Sequence, residues 1–332
     1  MNAISTREKV AFLRRPEAYA ERPRAVEAIE THMSWVFLTD RGAYKLKKPV
    51  RWNGLDFSTP ELRRHSCEEE VRLNCRLATG VYLGVIPLAL DPQGALALGG
   101  GGRPIDWLVQ MRRLPAARML DRRILQGGLA EAEVRPAALH LARFYAQAPP
   151  VEMSPAAYRK QLAEGVCGDL QELRRPELGL PASRVQAIAE AQLAFLEQRA
   201  ALFEERVRKG RIVEGHGDLR PEHICLADEP AIIDCLEFAR DLRVLDAADE
   251  LAFLALECER LGDPRVGGWF LDAYREVTGD VPPGPLLGFH RRYRALRRAK
   301  IAIWHLVDPE VRQPEMWRGR ALRYLELAGS PT

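Results

Sequence analysis

At 332 residues, 47% of them apolar and 29% charged, the chain is long enough for two lobes and a substantial core and has the composition of a globular protein. No apolar run approaches the roughly 20 residues that span a bilayer, the opening Met1 to Glu8 lacks the apolar stretch of a signal peptide, and a net charge of +3 gives no warrant for a nucleic-acid surface. The six cysteines are scattered without a C-x-x-C pair, which argues against a structural zinc and for a reducing compartment, so the expectation is a cytoplasmic protein that meets neither nucleic acid nor membrane.

Residues 7 to 28 read as a charged helical cap. Met33 to Thr39 and Ala43 to Val50 read as strands joined by Asp40-Arg41-Gly42, a three-residue hairpin turn ending in glycine, which admits a positive φ. The second strand stands out, because only seven of the 49 basic residues are lysine and three of these, Lys45, Lys47 and Lys48, fall within it. Alternation puts Lys45 and Lys47 on one face. Taken alone, the run also suits a solvated edge strand. Leu62 to Leu77 reads as a charged helix, followed by strands at Val85 to Leu90, Ala95 to Leu98 and Ile105 to Met111. The run Gly99 to Gly102 is not followed by the Lys-Ser/Thr of a phosphate loop and reads as a hairpin connection. Strand character ends at Pro115 and helical character begins at Ala116, which places a domain boundary there.

Helical patterns then run over 116–126, 129–148, 154–175 and 183–208. The segment from Ile212 to Arg240 is different. Two short apolar runs, Ile224 to Ala227 and Ala231 to Leu236, flank Asp228-Glu229-Pro230 and read as a β-hairpin. Asp218 sits in the polar loop before it. Asp234 is expected on the second strand, inside an apolar run, where a carboxylate is costly unless something positive or hydrogen-bonding meets it. Two acids converging from either side of a short ribbon suit a general base facing a metal-held phosphate. Helices over Val244 to Leu261, opened by Asp246 and bearing Asp249, and over about 265–277, 285–306 and 314–328 complete the chain.

The stretch His216-Gly217-Asp218-Leu219-Arg220-Pro221-Glu222-His223, followed by Ile232-Ile233-Asp234, resembles the catalytic loop and metal-binding strand of the aminoglycoside phosphotransferase family, closest to a bacterial branch of uncharacterised members whose second motif reads I-I-D-C-x-E-F. The resemblance implies an α+β, two-lobed protein-kinase-like fold. Its small antiparallel-sheet N-lobe would cover 1–110 with the helical cap, its hinge 111–115, and its larger, mostly helical C-lobe 116–332 with the catalytic loop and metal-binding hairpin. It also implies a small-molecule kinase, an ATP-dependent phosphotransferase that uses ATP (or GTP) and Mg2+ to move the γ-phosphate to a hydroxyl of a small-molecule acceptor.

In that scheme Asp218 orients the hydroxyl and takes its proton, while His216 supports the loop. Asp234, helped by His223, holds Mg2+, and Glu237 joins the metal shell, binds substrate or stays at the surface. Lys47, with Lys45 as runner-up, holds the α and β phosphates and is aimed by a helix carboxylate, Glu70 ahead of Glu69. Ser34 offers its hydroxyl and backbone N–H where relatives have a glycine turn, and the hinge Val109 to Pro115, Met111 included, meets the nucleotide base. Asp249 props the catalytic loop by accepting its backbone N–H groups.

One position departs from the pattern: His223 stands where kinases carry Asn, so a nitrogen replaces the usual oxygen donor. With the missing glycine turn, this keeps open a nucleotide-binding pseudokinase of regulatory or scaffolding role. The spacing of His216, Asp218, His223 and Cys225 keeps open a metal-dependent hydrolase, which leaves Lys47 and Glu70 unexplained. The acceptor is not named by the fold. Arg291, Arg294 and Arg298 share a stripe of the helix 285–306; if that stripe and Arg220 face the acceptor, they suit one bearing phosphate or carboxylate. Read alone, the stripe is equally a solvated basic face. Asp246, Asp249, Glu250, Glu257 and Glu259 keep a cationic acceptor open.

Overall fold

The alternating strands of the first third pair into one antiparallel sheet. In the computed structural model, which describes residues 4–52, 55–307 and 313–329, helix α1 (Thr6–Leu13) precedes strands β1 (Glu27–Glu30), β2 (Ser34–Leu38) and β3 (Gly42–Lys47). A short ribbon, β4 (Arg51–Trp52) and β5 (Leu55–Asp56), leads to helix α2 (Pro60–Asn74), and β6 (Tyr82–Leu90), β7 (Leu96–Leu98) and β8 (Arg103–Arg112) follow. The sheet order is β1-β2-β3-β8-β6-β7. The expected helical cap over 7–28 is mostly not helix. It ends at Leu13, because Pro16 and Pro23 lack the N–H and fix φ, and Glu27–Glu30 becomes an edge strand opposite Trp35 to Leu38.

The period of two decides what β3 shows to each side. Tyr44 and Leu46 bury with Phe37, Leu88 and Leu108 under α1. Ala43, Val109 and Met111 bury on the other side with Cys67 of α2 and with Cys225 and Ala231. The last two belong to the hairpin Ile224–Cys225 with Ala231–Ile232. Contacts divide the chain into two units, Met1–Arg123 with Glu222–Arg240, and Ile124–Pro221 with Asp241–Thr332. The hairpin, expected within the helical segment 116–332, therefore groups with the sheet. Its apolar residues enter the sheet's core, and it is hydrogen-bonded there, Leu226 N to Arg118 O at 2.8 Å and Ile232 N to Leu77 O at 3.0 Å.

The second unit is largely helical. After α3 (Leu120–Gln126), which begins in the first unit, come α4 (Glu131–Gln147), α5 (Pro155–Leu173), α6 (Ala182–Gln198) and α7 (Ala200–Arg208), then α8 (Ala247–Arg260), α9 (Arg265–Thr278), α10 (Gly284–Trp304) and α11 (Pro314–Gly329). The pattern read as one helix over 183–208 is two, broken at Arg199 with φ −115° and ψ 28°. Val244–Asp246 is strand, paired with Ile212–Glu214, and Asp246 caps α8 by accepting from Ala248 N at 2.9 Å. Arg206 then grips Asp246 through two nitrogens at 2.6 and 2.7 Å and Asp280 through a third at 2.7 Å, so these buried charges are mutually satisfied. Leu286, Phe289, Leu296 and Ile303 of α10 enter the core with Tyr324 and Leu325 of α11. The chain thus has the expected α+β composition. Among the described residues, no helix is long and apolar enough to cross a membrane.

Candidate functional site

In the first unit Lys45 and Lys47 project from the face of β3 that α2 covers, and Glu70 of α2 meets both. Lys45 Nζ lies 2.8 Å from Glu70 Oε1 and 2.7 Å from Asp234 Oδ1; Lys47 Nζ lies 2.6 Å from Glu70 Oε2 and 2.5 Å from Glu237 Oε1. Burial alone would pull both ammonium groups down. The carboxylates of Asp234, Glu70 and Glu237 outweigh it and hold Lys45 well above the usual lysine range; Glu237 and Glu70 hold Lys47 up in the same way. Glu70 answers in kind: burial pushes it up, but Lys45 and Lys47 bring it below the usual glutamate range. Of the neighbouring glutamates, Glu69 pairs with Arg72 and Glu68 with Arg64 on the helix surface.

Asp234 is not on a strand. The hairpin's second strand ends at Ile232, and Asp234 has φ 63°, a left-handed conformation that costs a non-glycine residue and persists only where surroundings impose it. Two residues missed in the sequence do so. Tyr82 Oη accepts from Asp234 N at 3.1 Å, and Asn74 Oδ1 accepts from Cys235 N at 2.8 Å while its amide nitrogen donates to Glu70 O at 2.8 Å. Asn74 lies one helical turn beyond Glu70 and is fully buried; a buried-face Asn four residues after the carboxylate is the signal that marks it. The turn leaves the Asp234 side chain 45% exposed, with Oδ2 3.5 Å from His223 Nε2.

A carboxylate and an imidazole are ligand types that fit a divalent cation which keeps waters and phosphate oxygens as its other ligands. Glu237 does not add to that pair, since it is turned onto Lys47. Among the described residues no group of three or more His, Cys, Asp or Glu side chains is placed to hold a metal. A zinc site at His216, Asp218, His223 and Cys225 finds no support: Cys225 is buried among apolar residues, and burial raises its thiol.

Two nucleotide contacts implied by the resemblance are occupied otherwise. The backbone N–H of Ser34 donates to Thr31 Oγ1 at 3.0 Å. Met111 lies inside the sheet between Ala43 and Tyr82, and the next two amides, of Arg112 and Arg113, donate to Val81 O at 2.8 Å and Arg41 O at 2.7 Å.

In the second unit, the loop between the strand Ile212–Glu214 and Pro221 is held by Glu250 of α8, not by Asp249. The Glu250 carboxylate accepts from His216 N and Tyr145 Oη, each at 2.8 Å, and from Gly217 N. Burial raises its pKa against the pull of these donors. Gly215 and Gly217 are required here: a Cβ on Gly215 would meet Glu250 Oε2 at 2.2 Å, and Gly217 has φ 90°. Asp249 faces the other way, onto Arg294, with two contacts of 2.8 Å. Arg294 in turn donates to Gly217 O at 3.3 Å, so it braces the loop from within the core and is not available to an acceptor. His216, fully buried, accepts from Asp218 N through Nδ1 at 3.3 Å, a contact within the loop. Asp218 is left with its side chain 26% exposed, Arg220 on Oδ2 at 3.0 Å and Arg298 Nη1 3.9 Å from Oδ1.

No family model matches the chain. An uncharacterised protein of Mycobacterium tuberculosis (strain ATCC 25618 / H37Rv) is 36% identical over 283 residues, 83% of this chain and 54% of the relative, and one from Mycobacterium bovis aligns to the same extent. The chain spans about half the length of the curated relatives it matches. Among solved structures, a choline/ethanolamine kinase family protein from Mesorhizobium loti is 16% identical with a TM-score of 0.54, covering 98% of this chain and 95% of that one. The GDP complex of aminoglycoside 2'-phosphotransferase-IIIa is 12% identical with a TM-score of 0.51 and 92% of both chains covered. A glucosamine kinase is 17% identical with a TM-score of 0.50, covering 96% and 83%. These likenesses show the fold: the chain has the protein-kinase-like fold that its motifs imply.

Proposed function

We propose, from this fold, that the chain is a phosphotransferase of the aminoglycoside phosphotransferase type that moves the terminal phosphoryl group of a nucleoside triphosphate, ATP or GTP, to a hydroxyl of a small molecule. The observation that carries this reading is the contact of Lys45 with both Glu70 and Asp234, a buried cation facing a carboxylate that the backbone has turned outward. Phosphoryl transfer asks a protein mainly to position groups and neutralise charge. Lys45 is the better placed of the two lysines to meet phosphate oxygens, since Lys47 is 1% exposed and closed off by Glu237. Asp234 and His223 would hold a divalent cation, which when bound neutralises charge on the phosphates. Asp218 takes the proton of the acceptor hydroxyl as its oxygen bonds to phosphorus and the bond from phosphorus to the bridging oxygen breaks, releasing nucleoside diphosphate. Arg220, at 3.0 Å from Asp218 Oδ2, holds that carboxylate in place until the acceptor arrives.

The test is nucleoside triphosphate consumption with and without a library of hydroxyl compounds, in wild type and Asp218→Ala. Acceptor-dependent turnover lost in the variant is expected; nucleotide consumption that ignores both acceptor and variant would overturn the reading. The commitment of Ser34 N–H to Thr31 and the presence of His223 favour a second reading, a nucleotide-binding pseudokinase. Nucleotide binding by calorimetry with no turnover for any acceptor would select it.

A further inference from the structure

The basic stripe on α10 resolves into arginines with different tasks. Arg291 pairs with Glu259, and Arg294 is spent on Asp249 and the loop carbonyl. Arg298 is different. Its side chain is 12% exposed, its nearest carboxylate oxygens, on Asp218 and Glu257, are each 3.9 Å away, and among the described residues none of its nitrogens makes a hydrogen bond. It is held by the faces of Phe253 and Tyr324, at 6.0 and 5.9 Å from the ring centroids. Glu257 does not need it, because Arg260 Nε at 2.9 Å and Tyr324 Oη at 2.5 Å already satisfy that carboxylate. A mostly buried guanidinium without hydrogen bonds is an incomplete arrangement.

The acids that would receive a cation are meanwhile all committed. Asp246 is gripped by Arg206, Asp249 by Arg294, Glu250 by the loop amides, Glu257 by Arg260 and Tyr324, and Glu259 by Arg291. An ammonium group beside Asp218 would meet the guanidinium groups of Arg220 and Arg298, a like-charge juxtaposition that selects against cations.

We propose that Arg298 is the anion-binding residue of the acceptor site, and that the acceptor carries a carboxylate or phosphate close to the hydroxyl that receives the phosphoryl group. This rests on the phosphotransferase reading, in which Asp218 marks where that hydroxyl sits. Guanidinium binds such anions through two parallel hydrogen bonds.

The experiment measures calorimetric binding and nucleotide turnover with glycerate and glycerol 3-phosphate, glycerol, and ethanolamine and kanamycin, in wild type, Arg298→Ala and Arg298→Lys, with thermal unfolding to confirm folded variants. The anionic compounds are expected to bind wild type at least about tenfold more tightly than glycerol. Arg298→Ala should lose that margin while leaving glycerol unchanged, and Arg298→Lys should restore part of it. Wild-type affinity that ignores acceptor charge, or tight kanamycin binding untouched in Arg298→Ala, would overturn the proposal. So would an Arg298→Ala loss confined to nucleoside triphosphate over diphosphate, which would put Arg298 on the transferred phosphoryl group. Arg298-dependent binding of glycerate in a protein that binds no nucleotide would instead uphold the anion site and refute the phosphotransferase reading.

Discussion

The lysine cluster of the first unit and the loop of the second both immobilise a carboxylate, and they do so by opposite means. Around Lys45 and Lys47 the order is charge against charge: two ammonium groups share Glu70 and reach Asp234 and Glu237. Around Asp218 the order is backbone against one carboxylate, with Glu250 collecting the amides of His216 and Gly217. The first arrangement depends on ionisation, because every contact in it joins opposite charges. The second is set by the shape of a glycine-containing loop and gives Asp218 a fixed direction. On the phosphotransferase reading proposed above, the first would neutralise charge and the second would aim Asp218.

The sharpest way to break this contrast is to neutralise one acid from each region. Asp218→Asn should lower phosphoryl transfer by roughly a thousandfold, within the usual range for losing a general base, and leave nucleotide affinity nearly intact. Asp234→Asn should abolish transfer as well, but by weakening metal-nucleotide binding itself. Calorimetry of the two variants decides it, and equal losses of nucleotide affinity would sink the division of tasks.

Next in size is Glu250→Ala, which strands two buried backbone donors, each costing roughly 1–3 kcal/mol. Urea denaturation should show a destabilisation of several kcal/mol on that scale, and Gly215→Ala should approach it, since the new methyl group displaces the same carboxylate. Glu69→Ala, on the helix surface, serves as the control with an effect below about 0.5 kcal/mol.

The charge cluster should instead show itself through pH. Glu70 has a folded-state pKa below its ordinary 4.5, so its contribution is present above about 4.5 and is lost as pH falls through the folded value. Lys45 is raised above its ordinary 10.5, so its contribution is present below that value and is lost as pH rises through the folded one. The stability gap between wild type and Glu70→Gln should therefore be widest at neutral pH and close below pH 4.5. A gap that stays constant from pH 7 to pH 3 would show that Glu70 acts through packing and not through charge. The smallest effect belongs to His223→Asn. If the imbalance between nitrogen and oxygen donors matters at Asp234, the variant keeps its fold and shifts metal preference toward Mg2+ over Mn2+, read by calorimetric titration of each ion in the presence of nucleotide.

Much of this was legible along the chain. A strand that gathers three of seven lysines, with two on one face, singled out Lys45 and Lys47, and the family resemblance implied Glu70 as their partner. The sequence His216 to His223 located the loop. What stayed hidden were Asn74 and Tyr82, whose role is to hold the backbone at Asp234, and the choice of Glu250 over Asp249. Adjacent residues on a helix point about 100° apart, and both of these are buried acids. Which one meets the loop depends on where Asp246 caps the helix and on which side Arg294 arrives.

Sequence by itself determined the periods, the caps and the faces: β3 alternates, and Asp246 opens α8. Those follow from local sterics and from apolar spacing, which act over a few residues. Only the tertiary structure decided which charges meet. Lys45 and Asp234 are 189 positions apart, and the partner of a buried charge is set by whichever oppositely charged group the packing delivers to it. That is why Arg294 is a core brace and Arg298, one helical turn further along the same stripe, makes no hydrogen bond among the described residues and lies 3.9 Å from Asp218.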